Sequence, residues 1–404
     1  MRASADIRSP NAVRRLIVVL AMLAAFAPFA TDMYLPAFAQ LAAHFGSSHG
    51  GMESTLSLFF LGLAVGQFFY GPLIDRYGRR LPLLLGVVLF LGASLGCLLA
   101  PSLEVFSGMR FAQALGGCAG MVIGRAIVSD LFGPLESARV LSLLMSLMAF
   151  APIVAPLLGG WILLFAGWQA IFVFLLSFAA LCLGLVWRYV PETLGPQRRK
   201  SIHPLAVGRG YLALCRTPAF LIPAVVGGLA QACMFAFITG SPSVFMGTFA
   251  VSEQAYGWLF GLNALGLIVG AQVNRQLLRR HSMERLLGLA LGLNLAAGLA
   301  LVAVAGLGQL ALLLLPLWLC IASLGLIAGN AAALAMGASG SLAGMGSALI
   351  GILQFLFAFL VSSLVAALQD GTAYPMSIAM ALSGLLASGL WFMAQRYRLC
   401  RARR

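Results

Sequence analysis

The chain has 404 residues, 61% hydrophobic and only 9% charged, whereas a soluble domain carries about a quarter charged residues. So few charges cannot cover a water-facing surface of this size, and the apolar runs lack the alternation of a lipid-facing barrel. The net charge of +14 does not mark a nucleic-acid binder, because it is dealt out to alternate connections between apolar runs.

Those runs suit membrane helices, which need about 20 residues each. Twelve spans are predicted at 13–39, 52–74, 81–100, 104–129, 137–163, 168–190, 217–247, 253–275, 283–306, 308–332, 341–369 and 373–397. One side of this arrangement receives Arg14 and Arg15, then Arg76, Arg79 and Arg80, then Arg139. It also receives Arg198, Arg199, Lys200 and Arg209, then Arg279, Arg280 and Arg285, and finally Arg398 through Arg404. The opposite side receives His44, His49, Glu104, Glu253 and Asp370, with no Lys or Arg. By the positive-inside rule both termini are cytoplasmic. Arg14 and Arg15 before an apolar stretch also have the ingredients of a signal peptide. Its removal would leave eleven spans and put the arginines outside, so the stretch is read as span 1.

Span 1 carries Asp32, the only acid of the chain placed well inside a span. A charge within the bilayer is costly and marks a functional site by default. Asp32 lies eight residues before Gln40, roughly 12 Å in from the outer end. Pro28 and Pro36 flank it and predict a locally broken helix. Asp6, Glu53, Glu104, Glu136, Glu192, Glu253, Glu284 and Asp370 are assigned to loops or span ends, and Asp75 and Asp130 to the cytoplasmic rim.

Span 2 ends in Gly71-Pro72-Leu73-Ile74-Asp75-Arg76 ahead of Arg79 and Arg80. Gly71 is expected to permit close backbone approach. Asp75 and Arg79 are four residues apart; a turn at Gly78 would instead let Arg79 reach Asp130 at the cytoplasmic end of span 4. Such a cluster would latch one conformation shut, besides marking topology. Span 4 holds Arg110, roughly 10 Å from its outer start and so at the level of Asp32. The reading is that Arg110 holds Asp32 ionised, and that a substrate or a conformational change alters the pairing. A permanent structural ion pair is the alternative. Gly116, Gly120 and Gly124 suit a packing face on the same span. In span 5, Pro152, Pro156, Gly159 and Gly160 predict a bend at the interface of two halves, since small residues allow close helix contact.

The stretch Pro191–Pro218 divides the chain into an N-terminal bundle (1–190), a cytoplasmic linker (191–216) and a C-terminal bundle (217–404). The halves echo each other: Gly270-Ala271-Gln272-Val273-Asn274-Arg275 before Arg279 and Arg280 repeats the end of span 2, at the offset of 199 that also relates Gly62 to Gly261. Transporters use such duplication to build alternating access around a midplane site. The expected fold is therefore all-α, with two pseudo-symmetric six-helix bundles. Apolar pockets with a few polar groups bind ligands, and Tyr34, Gln113, Gln231, Phe235, Asn263, Asn330 and Gln354 are candidates for the cavity wall. Each is equally a candidate for an interhelical hydrogen bond.

Seven scattered cysteines without CxxC spacing and four histidines assigned to loops offer no metal site or disulfide framework. No nucleophile elbow or phosphate loop is present, so neither an enzyme nor a cofactor is expected.

Several of these motifs carry a resemblance. Gly71-x-x-x-Asp75-Arg76-x-Gly78-Arg79-Arg80, Arg110-x-x-Gln113 with Gly116, Gly117 and Gly120, and Pro152-x-x-Ala155-Pro156-x-x-Gly159-Gly160 resemble the signatures of the major facilitator superfamily. Thr31-Asp32-Met33-Tyr34-Leu35-Pro36, Pro191-Glu192-Thr193-Leu194 and Gly240-Ser241-Pro242 are similar to its Bcr/CflA group of drug-resistance exporters. Asn274 departs from the pattern, standing where the first repeat has an acid. The resemblance implies a monomeric, proton-driven inner-membrane antiporter of small drug-like molecules, such as bicyclomycin, chloramphenicol-like or sulfonamide compounds, with span 5 carrying an antiporter motif. A narrow transporter of a purine, amino acid or dipeptide is the alternative.

Overall fold

The computed structural model describes residues 10–199 and 204–402. Asp6, Lys200, His203, Arg403 and Arg404 lie outside them. Secondary structure among the described residues is helical: α1 (Pro10–Ala24), α2 (Phe26–Asp32), α3 (Phe38–Phe45), α4 (His49–Tyr77), α5 (Arg80–Leu98), α6 (Leu103–Leu131), α7 (Pro134–Tyr189), α8 (Pro204–Cys215), α9 (Pro218–Pro242), α10 (Glu253–Leu277), α11 (Met283–Val304), α12 (Leu310–Gly337), α13 (Ala343–Ala367) and α14 (Tyr374–Ala402). In hydrocarbon every backbone group must be satisfied internally, and a helix does this within one segment.

Eleven helical stretches among the described residues are long and apolar enough to cross a membrane. The longest, Leu135–Tyr189, is two spans meeting at Gly167, whose φ of +68° breaks the helical dihedrals. The split falls between predicted spans 5 and 6, which accounts for all twelve. Span 1 is broken on both sides of Asp32. Ala25 separates α1 from α2, and a 3₁₀ turn over Leu35–Ala37 separates α2 from α3. Pro28 and Pro36 each lack the N–H that a continuous helix would use there.

Three of the acids assigned to loops or span ends lie in the first turns of helices. Ser102, Ser252 and Ser282 cap α6, α10 and α11 by accepting from Val105 N, Ala255 N and Arg285 N. Glu104, Glu253 and Glu284 follow in the first turns, where the helix dipole favours negative charge. His44, assigned to a loop, lies in α3 and packs on Phe45 and Trp168.

The chain forms two compact units. One holds the described residues up to Phe45 together with Leu58–Val207, and the other holds Gly46–Ser57 with the described residues from Gly208 on. The first turns of α4 thus cluster with the second unit. In the first unit α6 packs closely on its neighbours, as a Cβ on Gly116 would lie 2.5 Å from Phe90 N and one on Gly120 would lie 2.4 Å from Leu23 O. Gly124 makes no such approach, its nearest neighbour being Leu20 Cδ2 at 3.8 Å. In the second unit the equivalent closeness joins α10 to α12, where a Cβ on Gly270 would lie 1.9 Å from Ala322 O.

Candidate functional site

The break in span 1 sets the geometry around Asp32. Thr31 turns its hydroxyl back to the carbonyls of Ala27 (2.9 Å) and Pro28 (3.1 Å), which leaves Asp32 at the end of α2. Asp32 is buried, and its Oδ1 has no hydrogen-bond partner. Arg110 is buried in the same unit on α6. Its Nη2 donates to the carbonyl of Ala30 at 2.7 Å, and its Nη1 donates to Gln113 Oε1. The guanidinium lies 4.1 Å from the centre of the Tyr34 ring and 4.4 Å from that of Phe59.

The expected Asp32–Arg110 ion pair is therefore not formed in this conformation: the ion pairs among the described residues do not include it. Arg110 instead takes a carbonyl two residues before Asp32, an amide and two aromatic faces. Such a set can hold a buried guanidinium without a carboxylate, through directed donors and ring quadrupoles. Gln113 is part of the same chain of bonds, since its Nε2 donates to Ser94 Oγ at 2.8 Å and Ser94 donates to Phe90 O at 2.7 Å. Tyr34 and Gln113, expected on a cavity wall, thus embrace Arg110.

Gly159 brings α7 onto this same segment. A Cβ there would lie 2.0 Å from Met33 O and 3.1 Å from Met33 Cα, so only glycine admits the backbone next to Asp32. Gly160 and Pro156 are buried beside it and Pro152 is half-buried. The residue of α7 with non-helical dihedrals is Gly167, not either proline. Within its own unit the motif acts by close packing on span 1.

The rim expected to face the cytoplasm holds a second cluster in the first unit. Arg79 donates from Nε to Asp130 Oδ2 at 2.9 Å and from Nη1 to Asp75 Oδ1 at 3.0 Å. Its Nη1 also reaches Ile74 O at 2.7 Å. Gly78 has φ +89°, and a Cβ on it would strike Glu192 Oε2 at 2.3 Å; the turn therefore requires glycine for both conformation and space. Glu192 accepts from the backbone N–H of Arg79 (2.8 Å), Arg80 (3.3 Å) and Leu194 (2.9 Å). Thr193 donates to Asp130 Oδ2 at 2.8 Å. Gly71 does not belong to the cluster in the way expected, because a Cβ on it would meet nothing within 4 Å.

In the second unit the cavity candidates separate. Asn330 exchanges side-chain hydrogen bonds with Asn274, donating from Nδ2 to Oδ1 at 2.8 Å and accepting the reverse at 3.4 Å. It joins α12 to α10, and so an uncharged pair occupies the repeat's counterpart of the Asp75 region. Asn263 donates to Leu259 O at 2.9 Å but leaves its buried Oδ1 without a partner, as does Gln231 with its Oε1. Phe235 packs on Phe355 with ring centres 5.9 Å apart, and Gln354 is half-buried. Separately, a groove of about 450 Å³ on the first unit is lined by Val13, Arg14, Ile17, Val18, Ala21, Met22, Leu143 and Leu147. It contains none of the cavity candidates.

Sequence reasoning assigned no contacts to Glu53, Glu192 or Arg125. Glu192 was legible only as part of the Pro191-Glu192-Thr193-Leu194 motif, with no partner assigned. Arg125 donates to Met121 O of its own helix at 3.0 Å. Glu53, assigned to a span end, is fully buried in the second unit.

A family model described as the Major Facilitator Superfamily matches residues 20–362. YdgK of Bacillus subtilis (strain 168), named as an uncharacterized transporter of that type, is 33% identical over 97% of this chain and 99% of its own length. A bicyclomycin resistance protein homolog of Haemophilus influenzae is 30% identical over 90% of this chain and 92% of its own length. A chloramphenicol resistance protein of Pseudomonas aeruginosa is 30% identical over 75% of this chain and 72% of its own length. Among solved structures, a D-xylose–proton symporter shares the fold, with TM-score 0.70, 16% identity and coverage of 94% of this chain and 97% of that one.

Proposed function

Because this chain belongs to the Major Facilitator Superfamily, a family of multi-pass membrane transporters, we propose that it is a proton-coupled antiporter exporting small drug-like molecules across the bacterial inner membrane. The observation that carries the coupling is Asp32: a buried carboxyl with a free oxygen, on a broken helix, two residues from the carbonyl that Arg110 holds. Names given to two relatives support drug export, one after bicyclomycin and one after chloramphenicol.

In the proposed cycle Asp32 carries the proton. When Arg110 leaves the Ala30 carbonyl and turns to Asp32, the ionised form gains a partner. When it returns, Asp32 is left without a cation in a dry site. Substrate enters beside Tyr34 and Gln113 and disturbs the bonds that hold Arg110, so substrate binding drives proton release, and bound proton and bound substrate oppose each other. The Asp75–Arg79–Asp130 cluster, braced by Glu192, holds the cytoplasmic rim in one state. Both termini lie in the cytoplasm, and the monomer is the working unit.

Inverted membrane vesicles test this reading with a panel of drugs and metabolites, with and without an imposed pH gradient. Gradient-driven accumulation of several unrelated drugs is expected, and Asp32→Asn is expected to abolish it. Accumulation of one metabolite alone would favour a narrow transporter. Undiminished gradient-driven accumulation by Asp32→Asn would remove Asp32 from coupling.

A further inference from the structure

Glu53 lies outside every role assigned so far. It sits in the second turn of α4, within the part that clusters with the second unit. Gly50, one turn earlier, allows the backbone against α13, since a Cβ on it would lie 2.6 Å from Ala366 O. That approach presses Glu53 among the ends of two other segments. Ser243, first residue of a π-helical stretch over Ser243–Thr248, donates to Glu53 Oε1. Gln369, just past α13, donates to the same oxygen at 2.6 Å. Gln369 Oε1 itself accepts from Gly371 N at 3.1 Å, and Thr248 ties the two segments together by donating to Gly371 O at 2.9 Å. π-Helical turns of this kind concentrate at functional positions.

The Glu53 carboxyl is fully buried. Oε1 has two donors, and Oε2 has no hydrogen-bond partner. None of the ion pairs among the described residues includes Glu53. The charged residue of the adjoining segment is Asp370, an acid, and its Oδ1 is taken by Thr372 N (2.9 Å) and Oγ1 (2.6 Å). The stretch 243–248 and the last turns of α13 bring no charged side chain. An ionised carboxylate with no cation costs several kcal/mol to bury, yet the site holds two polar donors aimed at this one group. Saturated on Oε1 and open on Oε2, it has the arrangement of a carboxylic acid whose hydroxyl sits on Oε2.

We propose that Glu53 is a second proton-carrying carboxyl of this protein, binding a proton on Oε2 when Ser243 and Gln369 hold the outer end of α4, and releasing it when that end separates and water reaches it. The proton moves between Oε2 and water, and no other bond changes. The inference rests on the proton-coupled reading above, since a proton bound here has a use only in a cycle that carries one.

The test uses the full chain in lipid nanodiscs, titrated with acid while infrared difference spectra follow the carbonyl stretch of protonated carboxyls. Glu53→Gln keeps shape and acceptor and should remove one carboxyl band and one titrating proton per chain. Ser243→Ala should keep that band and shift its frequency, because a donor to the carbonyl oxygen is lost; it serves even where Glu53→Gln fails to accumulate. Asp32→Asn should leave the Glu53 band in place. Spectra and proton counts of Glu53→Gln identical to wild type, or a Ser243→Ala spectrum without a shift, would overturn the proposal. Vesicle export by Asp32→Asn separates the two readings: retained export sinks the Asp32 coupling scheme, while an unaltered Glu53→Gln spectrum sinks the second site alone.

Discussion

Asp130 and Asp75 both contact Arg79, yet they should contribute unequally to the rim cluster. The Asp75 side chain is 54% exposed and that of Asp130 is 22% exposed, while Arg79 is 9% exposed. An exposed i,i+4 pair contributes about 0.3–0.5 kcal/mol, so Asp75→Asn should cost less than about 0.5 kcal/mol. Asp130 accepts from both Arg79 Nε and Thr193 Oγ1, and hydrogen bonds to a charged group contribute about 1.5–3 kcal/mol each. Asparagine retains one acceptor without the charge, so Asp130→Asn should cost about 1–2 kcal/mol. Since 1.4 kcal/mol is a factor of ten, losing this much from one state of the cycle would shift its population about tenfold. Mixed-micelle unfolding of purified variants measures the stability, and drug efflux from cells measures the consequence. A double-mutant cycle between Arg79→Ala and Asp130→Asn isolates the pair and should give a coupling above about 0.5 kcal/mol, as residues in one network do. An Asp75→Asn variant as damaged as Asp130→Asn, or an Arg79–Asp130 coupling near zero, would refute the reasoning.

Arg110→Lys should lose most export, because one ammonium cannot serve Ala30 O and Gln113 Oε1 with the planar fork that does so here; wild-type rates in vesicles would contradict this. Gly159→Ala should fail to transport or to accumulate, since its Cβ would sit 2.0 Å from Met33 O, whereas Gly71→Ala, with open space around it, should change stability by no more than about 0.5 kcal/mol. Growth on a drug gradient and membrane immunoblots score both. Asn330→Ala strands the Asn274 amide and should lower stability by about 1–3 kcal/mol without changing which drugs are exported; an altered drug range would return Asn330 to the cavity wall.

The amino-acid sequence by itself determined the membrane-spanning class, the span count and the break around Asp32. These depend on local quantities: apolar run length, the missing N–H of Pro28 and Pro36, and the sidedness of arginine. The Arg79–Asp130 contact was legible too, because Gly78 marks the turn that swings Arg79 toward α6. Tertiary structure alone decided what meets Arg110, which takes the Ala30 carbonyl rather than Asp32. Depth along two helices gives their level but not their rotation, and rotation selects the partner. The same holds for Gly71 and Gly270, equivalent in the repeat, of which only Gly270 lies against another backbone. Glu53 was the largest surprise. Its residue number places it at a span end, where water is expected, but the close approach at Gly50 and the donors from Ser243 and Gln369, distant by 190 and 316 positions, enclose it. Burial of a single side chain depends on neighbours brought from elsewhere in the chain, and no local pattern encodes them.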